Sequence, residues 1–147
     1  MQLSRNFYLS EFVRSQTASR YGIPNSPDRT QLNNLKDVCE NILQPVRDYF
    51  KRPVVVSSGF RSPLLNQRIG GSTNSQHCSG EAADFEIPGI DNRSVAKWIR
   101  ENLVYDQLIL EYWNEKHPNS GWIHCSYVNG NRKQALVFNG REYLGWS

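Results

Sequence analysis

Two histidines and an aspartate are spaced so that they could share a metal ion. His77 and Asp84 lie in Ser75-Gln76-His77-Cys78-Ser79-Gly80-Glu81-Ala82-Ala83-Asp84, and His124 follows much later in Trp122-Ile123-His124-Cys125-Ser126. Two imidazoles and one carboxylate are the protein complement of a catalytic zinc ion (Zn2+), which keeps its fourth position for water. A structural zinc is normally closed by four ligands rich in Cys. The chemistry this set points to is hydrolysis at the open position.

Period-two patterning supplies the elements that must aim these groups. Gly80 lets the chain turn sharply after His77. Ala82, Asp84 and Glu86 then share one face of a strand, and Ala83, Phe85 and Ile87 the other; the small alanines leave room for an ion beside Asp84. From Trp122 to Tyr127 the same alternation puts Trp122, His124 and Ser126 on one face. Two strands of one sheet can therefore bring Asp84 and His124 to a common point, with His77 arriving from the loop.

Ser75, His77, Gly80, Ala82 and Asp84 fill every fixed position of S-x-H-x-x-G-x-A-x-D. Here the chain resembles the zinc D-alanyl-D-alanine carboxypeptidase family, whose fold is shared with lysostaphin-type peptidases and the hedgehog signalling domain. Ser57-Ser58-Gly59-Phe60-Arg61-Ser62-Pro63 with Asn66 is similar to the family's strand and turn carrying a substrate-binding arginine, and Trp122-Ile123-His124 is similar to its third-ligand strand. The stretches Phe7–Phe12 and Gly22–Pro27 are similar to phage and prophage members. The resemblance implies a hedgehog/DD-peptidase-like fold and a zinc peptidase acting on peptidoglycan stem peptides. It would be either a D-Ala-D-Ala carboxypeptidase or an endolysin-type endopeptidase. His77, Asp84 and His124 would hold zinc and Arg61 would neutralise a substrate carboxylate; from its place beside the first ligand, Gln76 is expected to hydrogen-bond the substrate or the developing oxyanion.

In one respect the chain departs from that pattern. Many family members carry a glutamate or histidine a few residues before the third ligand, whereas here Ser120, Gly121, Trp122 and Ile123 stand there. The nearest upstream candidates are Glu111, Glu115 and His117. Alternation groups Gln107, Ile109 and Glu111 on one face, and a hairpin across Trp113 to Gly121 would set Glu111 opposite His124 or one residue from it. Glu111 is therefore the expected general base, with an ordinary sheet-edge carboxylate as its alternative. His117, beside Pro118, reads as a solvated loop residue. For Arg61, the helix-start signal Ser62-Pro63 leaves a helix-flanking surface charge as the alternative. The departure also leaves open a non-catalytic, zinc-containing domain that binds cell wall or serves a virion structurally.

At 147 residues and 38% hydrophobic content, the chain suits one domain, residues 1–147, with a core that needs no disulfide. Its net charge of +3 is spread without a basic run, which argues against nucleic acid and is compatible with mild attraction to anionic wall polymers. Cys39, Cys78 and Cys125 are odd in number and lack C-x-x-C spacing, so thiols are expected. Cys125 must point away from His124's face, while Cys78, in the loop, stays open as a ligand. The N-terminus lacks the apolar core of a signal peptide, and no stretch reaches the length of a membrane span. The expectation is a monomer made in the cytoplasm without membrane insertion, reaching the wall by phage-mediated release or as a virion component.

Cap and period signals give the remaining elements. Ser10 is expected to cap a helix to about Arg20, and Leu32, Leu35, Cys39, Ile42, Leu43 and Val46 mark a longer helix that Pro45 kinks or restarts. A strand over Val54–Ser57 precedes a short helix opened by Ser62-Pro63 and ended by Gly70-Gly71. Asn92 is expected to cap a helix through about Asn102, with strands near Asp106–Tyr112, Trp122–Val128 and Ala135–Phe138. Helices followed by mostly hairpin-connected strands predict an α+β fold, a central and mostly antiparallel sheet with helices packed around it.

Overall fold

Leu35, Cys39, Ile42, Leu43 and Val46 recur at three- and four-residue steps, and every one of them is buried. They form the helical layer beneath a sheet. The computed structural model describes residues 1–146. In chain order it contains β1 (Gln2–Ser4), β2 (Phe7–Tyr8), α1 (Ser10–Val13), α2 (Gln16–Tyr21), α3 (Arg29–Val38), a π-helical turn (Cys39–Leu43) and α4 (Gln44–Phe50). There follow β3 (Val55–Ser58), α5 (Pro63–Arg68), a 3-10 turn (Gln76–Ser79), β4 (Ala82–Glu86), α6 (Asn92–Asn102), β5 (Gln107–Glu111), β6 (Trp122–Ser126), β7 (Gln134–Phe138) and β8 (Tyr143–Gly145). The π turn ends where Pro45 opens α4, so the proline restarts the helix, as its missing N–H requires.

The fold is α+β, as the pattern predicted. The main sheet runs β3-β4-β6-β5-β7-β8, and only β5 and β7 pair in parallel. One of its faces sends Ala83, Phe85, Leu108, Leu110, Ile123 and Cys125 into the core. α6 packs on β5 and β6, and α3 touches both β4 and the 3-10 turn. The opposite face, with Asp84, Ile109, Glu111 and His124, is left for the site. No helix of the described residues is long and apolar enough to cross a membrane.

Three expectations change. The first helix is broken at Arg14 and Ser15: the Phe12 carbonyl, which a continuous helix would use internally, accepts from Phe60 N–H at 2.7 Å. Ser15, and not Ser10, supplies the side-chain cap, to Ala18 N–H, and the second helix begins there. α6 is capped by Asp91, whose carboxylate accepts from Ser94 N–H at 2.9 Å; the Asn92 amide instead donates to the Ser120 and Gly121 carbonyls, tying α6 to the approach to β6. Finally, β6 and β7 are not a hairpin. β7 crosses over to join β5 in parallel and β8 extends that side, while β1 and β2 form a separate two-stranded ribbon.

Gly80 closes the 3-10 turn at φ +77°, and a Cβ there would stand 2.4 Å from the Gln31 carbonyl oxygen on α3. Turn and helix can approach so closely only at glycine. Gly80→Ala should therefore lose about 2 kcal/mol or more of stability, from the left-handed conformation together with backbone overlap, measured as a lowered denaturant midpoint.

Candidate metal centre

Asp84 on β4 and His124 on β6 are direct partners across an antiparallel ladder. Their side chains leave the sheet on the same face, and His124 Nδ1 lies 3.0 Å from Asp84 Oδ1. His77 comes from the 3-10 turn, which is held from several directions. Ser75 Oγ accepts from His77 N–H, and Gln31 and Asn34 on α3 donate to the Cys78 and Ser79 carbonyls. Arg61 N–H donates to the His77 carbonyl.

The His77 ring is oriented as well. Its Nδ1 lies 2.7 Å from the Gly59 carbonyl, which can only accept, so Nδ1 carries the proton in the neutral ring and the lone pair of Nε2 points to Asp84 Oδ1 at 3.2 Å. One donor atom from each of the three residues lies within 4.8 Å of the others. Electron-rich atoms in such a cluster call for a cation or shared protons among them. The chemistry fits zinc: two nitrogens and one oxygen, with one ring braced through its far nitrogen. The 3.0 and 3.2 Å separations also match the edge of a tetrahedron built from bonds of about 2.0–2.1 Å, roughly 3.3 Å. Burial by itself would raise the Asp84 pKa; without a metal, protonated, N–H-donating imidazoles hold the carboxyl well below the usual carboxylate range.

The cluster lies in a cavity of about 560 Å³ whose walls include Arg61, Gln76, Glu111, Arg132 and Tyr143. Every site residue expected from the sequence is brought to it. Glu111 pairs with Trp122, and Ile109 stands opposite His124, so Glu111 is two residues from His124 rather than opposite or one away. An even offset preserves the face, and Glu111 still looks into the cavity. Burial pushes its pKa up and the Asp84 carboxylate pushes it further, opposed by His124, the Trp122 indole and Arg61. The pKa values of the two carboxylates in this cavity are thereby moved in opposite directions. Arg61 Nη1 donates to Asn66 Oδ1 at 3.1 Å, and the Asn66 amide donates to the Ser72 carbonyl.

Gln76 lines the cavity, and its amide nitrogen donates to Asp106 Oδ2 at 2.9 Å, which also braces the His77 turn. Asp106 and Arg132 were not singled out from the sequence: their role appears only when Arg132 folds back to grip Asp106 just ahead of β5. Tyr143 was missed because β8 is short and exposed. Glu115 and His117 are exposed in the β5–β6 loop, outside the cavity. Among the described residues the group that could hold a metal is His77, Asp84 and His124, without Cys78.

The cysteines are free thiols, with Cys39 and Cys125 buried and Cys78 half-buried. Burial pushes all three thiol pKa values up, and those of Cys39 and Cys125 furthest. A thiol reagent should therefore modify the native protein at Cys78 alone, slowly, and all three sites after denaturation, as read by intact-mass spectrometry.

Comparison with known proteins agrees with this geometry. Residues 5–126 match the model of the family described as Peptidase M15. A 34-residue stretch is 47% identical to the zinc D-Ala-D-Ala carboxypeptidase of Streptomyces albus G, covering 23% of this chain and 13% of that protein's length. With the family match extending over most of its length, the chain belongs to Peptidase M15, a family of zinc-dependent peptidases.

Proposed function

We propose that the protein is a zinc peptidase that hydrolyses peptide bonds in bacterial peptidoglycan stem peptides. The convergence of His77 Nε2, Asp84 Oδ1 and His124 Nδ1 in a cavity that also holds Glu111 and Arg61 carries this reading. The partial match to a zinc D-Ala-D-Ala carboxypeptidase supports the substrate class.

In this reading His77, Asp84 and His124 hold zinc, which when bound supplies Lewis acidity, acidifying water and polarising the scissile carbonyl. Glu111 takes the proton of the attacking water on its carboxylate and delivers it to the leaving amine as the C–N bond breaks. Arg61 pairs with the substrate's terminal carboxylate, which favours carboxypeptidase action on a terminal D-alanine over an internal, endolysin-type cut. Similarity of the N-terminal stretch to phage and prophage members supports delivery to the wall by phage-mediated release or on a virion.

Digestion of purified peptidoglycan, with muropeptides read by mass spectrometry, tests the proposal. We expect free D-alanine or new peptide ends, abolished by a chelator and restored by zinc. Elemental analysis should find about one zinc per chain, as expected for a single three-ligand site. Asp84→Ala should lose that zinc and Glu86→Ala, one strand repeat further along, should keep it. Intact peptidoglycan with fully zinc-loaded protein would instead indicate the non-catalytic domain.

Glu111→Gln keeps size and polarity but cannot accept a proton. It should retain zinc and melting temperature while losing roughly 10²–10⁴-fold in kcat. Because the Glu111 pKa is raised, its base form disappears as pH falls through a value above the ordinary glutamate range. The acid limb of the wild-type kcat profile should sit correspondingly high, and the residual rate of Glu111→Gln should lack it. Hydrolysis at the normal rate by Glu111→Gln, with His117→Ala crippled, would place the base in the loop.

A further inference from the structure

The cavity holds two guanidinium groups, and the reaction as described employs only Arg61. The other belongs to Arg132, which lies beyond the stretch matched by the family model. Asp106, only 2% exposed, grips it as a fork: Arg132 Nε donates to Oδ1 at 3.0 Å and Nη2 to Oδ2 at 2.8 Å. Gln76 donates to Oδ2 as well. Arg132 beside it brings the Asp106 pKa down to about 2, so the pair stays ionised at any pH near neutrality.

A role confined to tethering the loop after β6 does not explain this fork. The loop's backbone is already pinned, since the N–H groups of Arg132, Lys133 and Gln134 donate to Asp106 Oδ1, the Tyr105 carbonyl and the Asp106 carbonyl. The side-chain fork adds orientation. Of the five N–H donors of the guanidinium it uses two, and three remain on a side chain that is 57% exposed and lines the cavity. A planar group fixed by a buried carboxylate, with donors to spare, is prepared to take a further anionic oxygen without losing side-chain entropy.

The two cations flank the metal centre. Arg61 follows β3 and Arg132 precedes β7, on opposite sides of the β4–β6 pair that carries Asp84 and His124. We propose that Arg132 is a specificity-determining residue that reads a second, internal carboxylate of the peptide, on the acyl side of the scissile bond. This rests on the peptidase reading with Arg61 at the terminal carboxylate. Stem peptides offer two such groups, the α-carboxylate of the γ-linked D-glutamyl residue and the side-chain carboxylate of a diamino diacid at the next position.

Two synthetic series distinguish them. The first is L-Ala-γ-D-Glu-L-Lys-D-Ala-D-Ala with its glutamyl α-carboxylate free or amidated. The second keeps that position amidated and carries diaminopimelate with its side-chain carboxylate free or amidated. For each pair, kcat/KM is measured with zinc-loaded protein, and Kd by calorimetry with metal-free protein. We expect a free-acid preference of about tenfold in one series, the effect of one charge-assisted contact in a half-exposed site. It should fall to near one in Arg132→Gln and recover partly in Arg132→Lys. Wild-type ratios near one in both series overturn the proposal. So does an Arg132→Gln protein that loses free acid and amide equally, the behaviour of a loop tether. A binding preference without hydrolysis of either peptide would leave Arg132's assignment standing and sink the peptidase reading.

Discussion

The pairing of Asp84 with His124 across β4 and β6 is the constraint from which the site follows. Alternation has period two, so a slip of one residue in either strand would send its Asp84 or His124 into the apolar layer and bring Ala83 or Cys125 to the cavity in its place. The register is secured from the other face, where Ala83, Phe85, Ile123 and Cys125 are fully buried. Placing two donor groups on the inner strands lets the apolar core specify the position of the polar centre. His77 needs separate support because it comes from a turn, and the Gly59 carbonyl, Arg61 and α3 provide it.

Much of the centre was legible because two of its three groups sit on locally patterned strands and the third in a motif of fixed spacing. The motif around His77 and the alternation around Asp84 and His124 anticipated the trio, and parity anticipated the face of Glu111 even though the register was misjudged. What could not be read depended on contacts distant in sequence. The break in the first helix arises because Phe12 is engaged by Phe60, and the Asp106–Arg132 fork joins residues on separate segments. No local period signals either. β8 escaped notice for a different reason, since an exposed three-residue strand carries no hydrophobic alternation.

Electrostatics divides the labour among acidic groups of similar intrinsic chemistry. Asp84 is held ionised by two imidazoles and Asp106 by a guanidinium, whereas Glu111 has burial and a neighbouring carboxylate pushing its proton affinity upward. Of these three carboxylates, Glu111 is the one whose pKa is moved upward. Its placement two residues along β5 from Ile109 keeps it within the cavity while leaving Asp84 Oδ1 to the imidazoles.

The cavity's walls differ in how firmly the fold holds them. β4 and β6 are paired on both edges and backed by helices, whereas β8 has one partner and all three of its residues are exposed. Local opening free energies follow burial and pairing, so amide protection should decline from the metal strands outward to β8. The ligand geometry rests on the part of the sheet that opens last, and Tyr143 on the part that opens first. A cleft built in this way can yield along one rim without disturbing the alignment of the side chains on its inner strands.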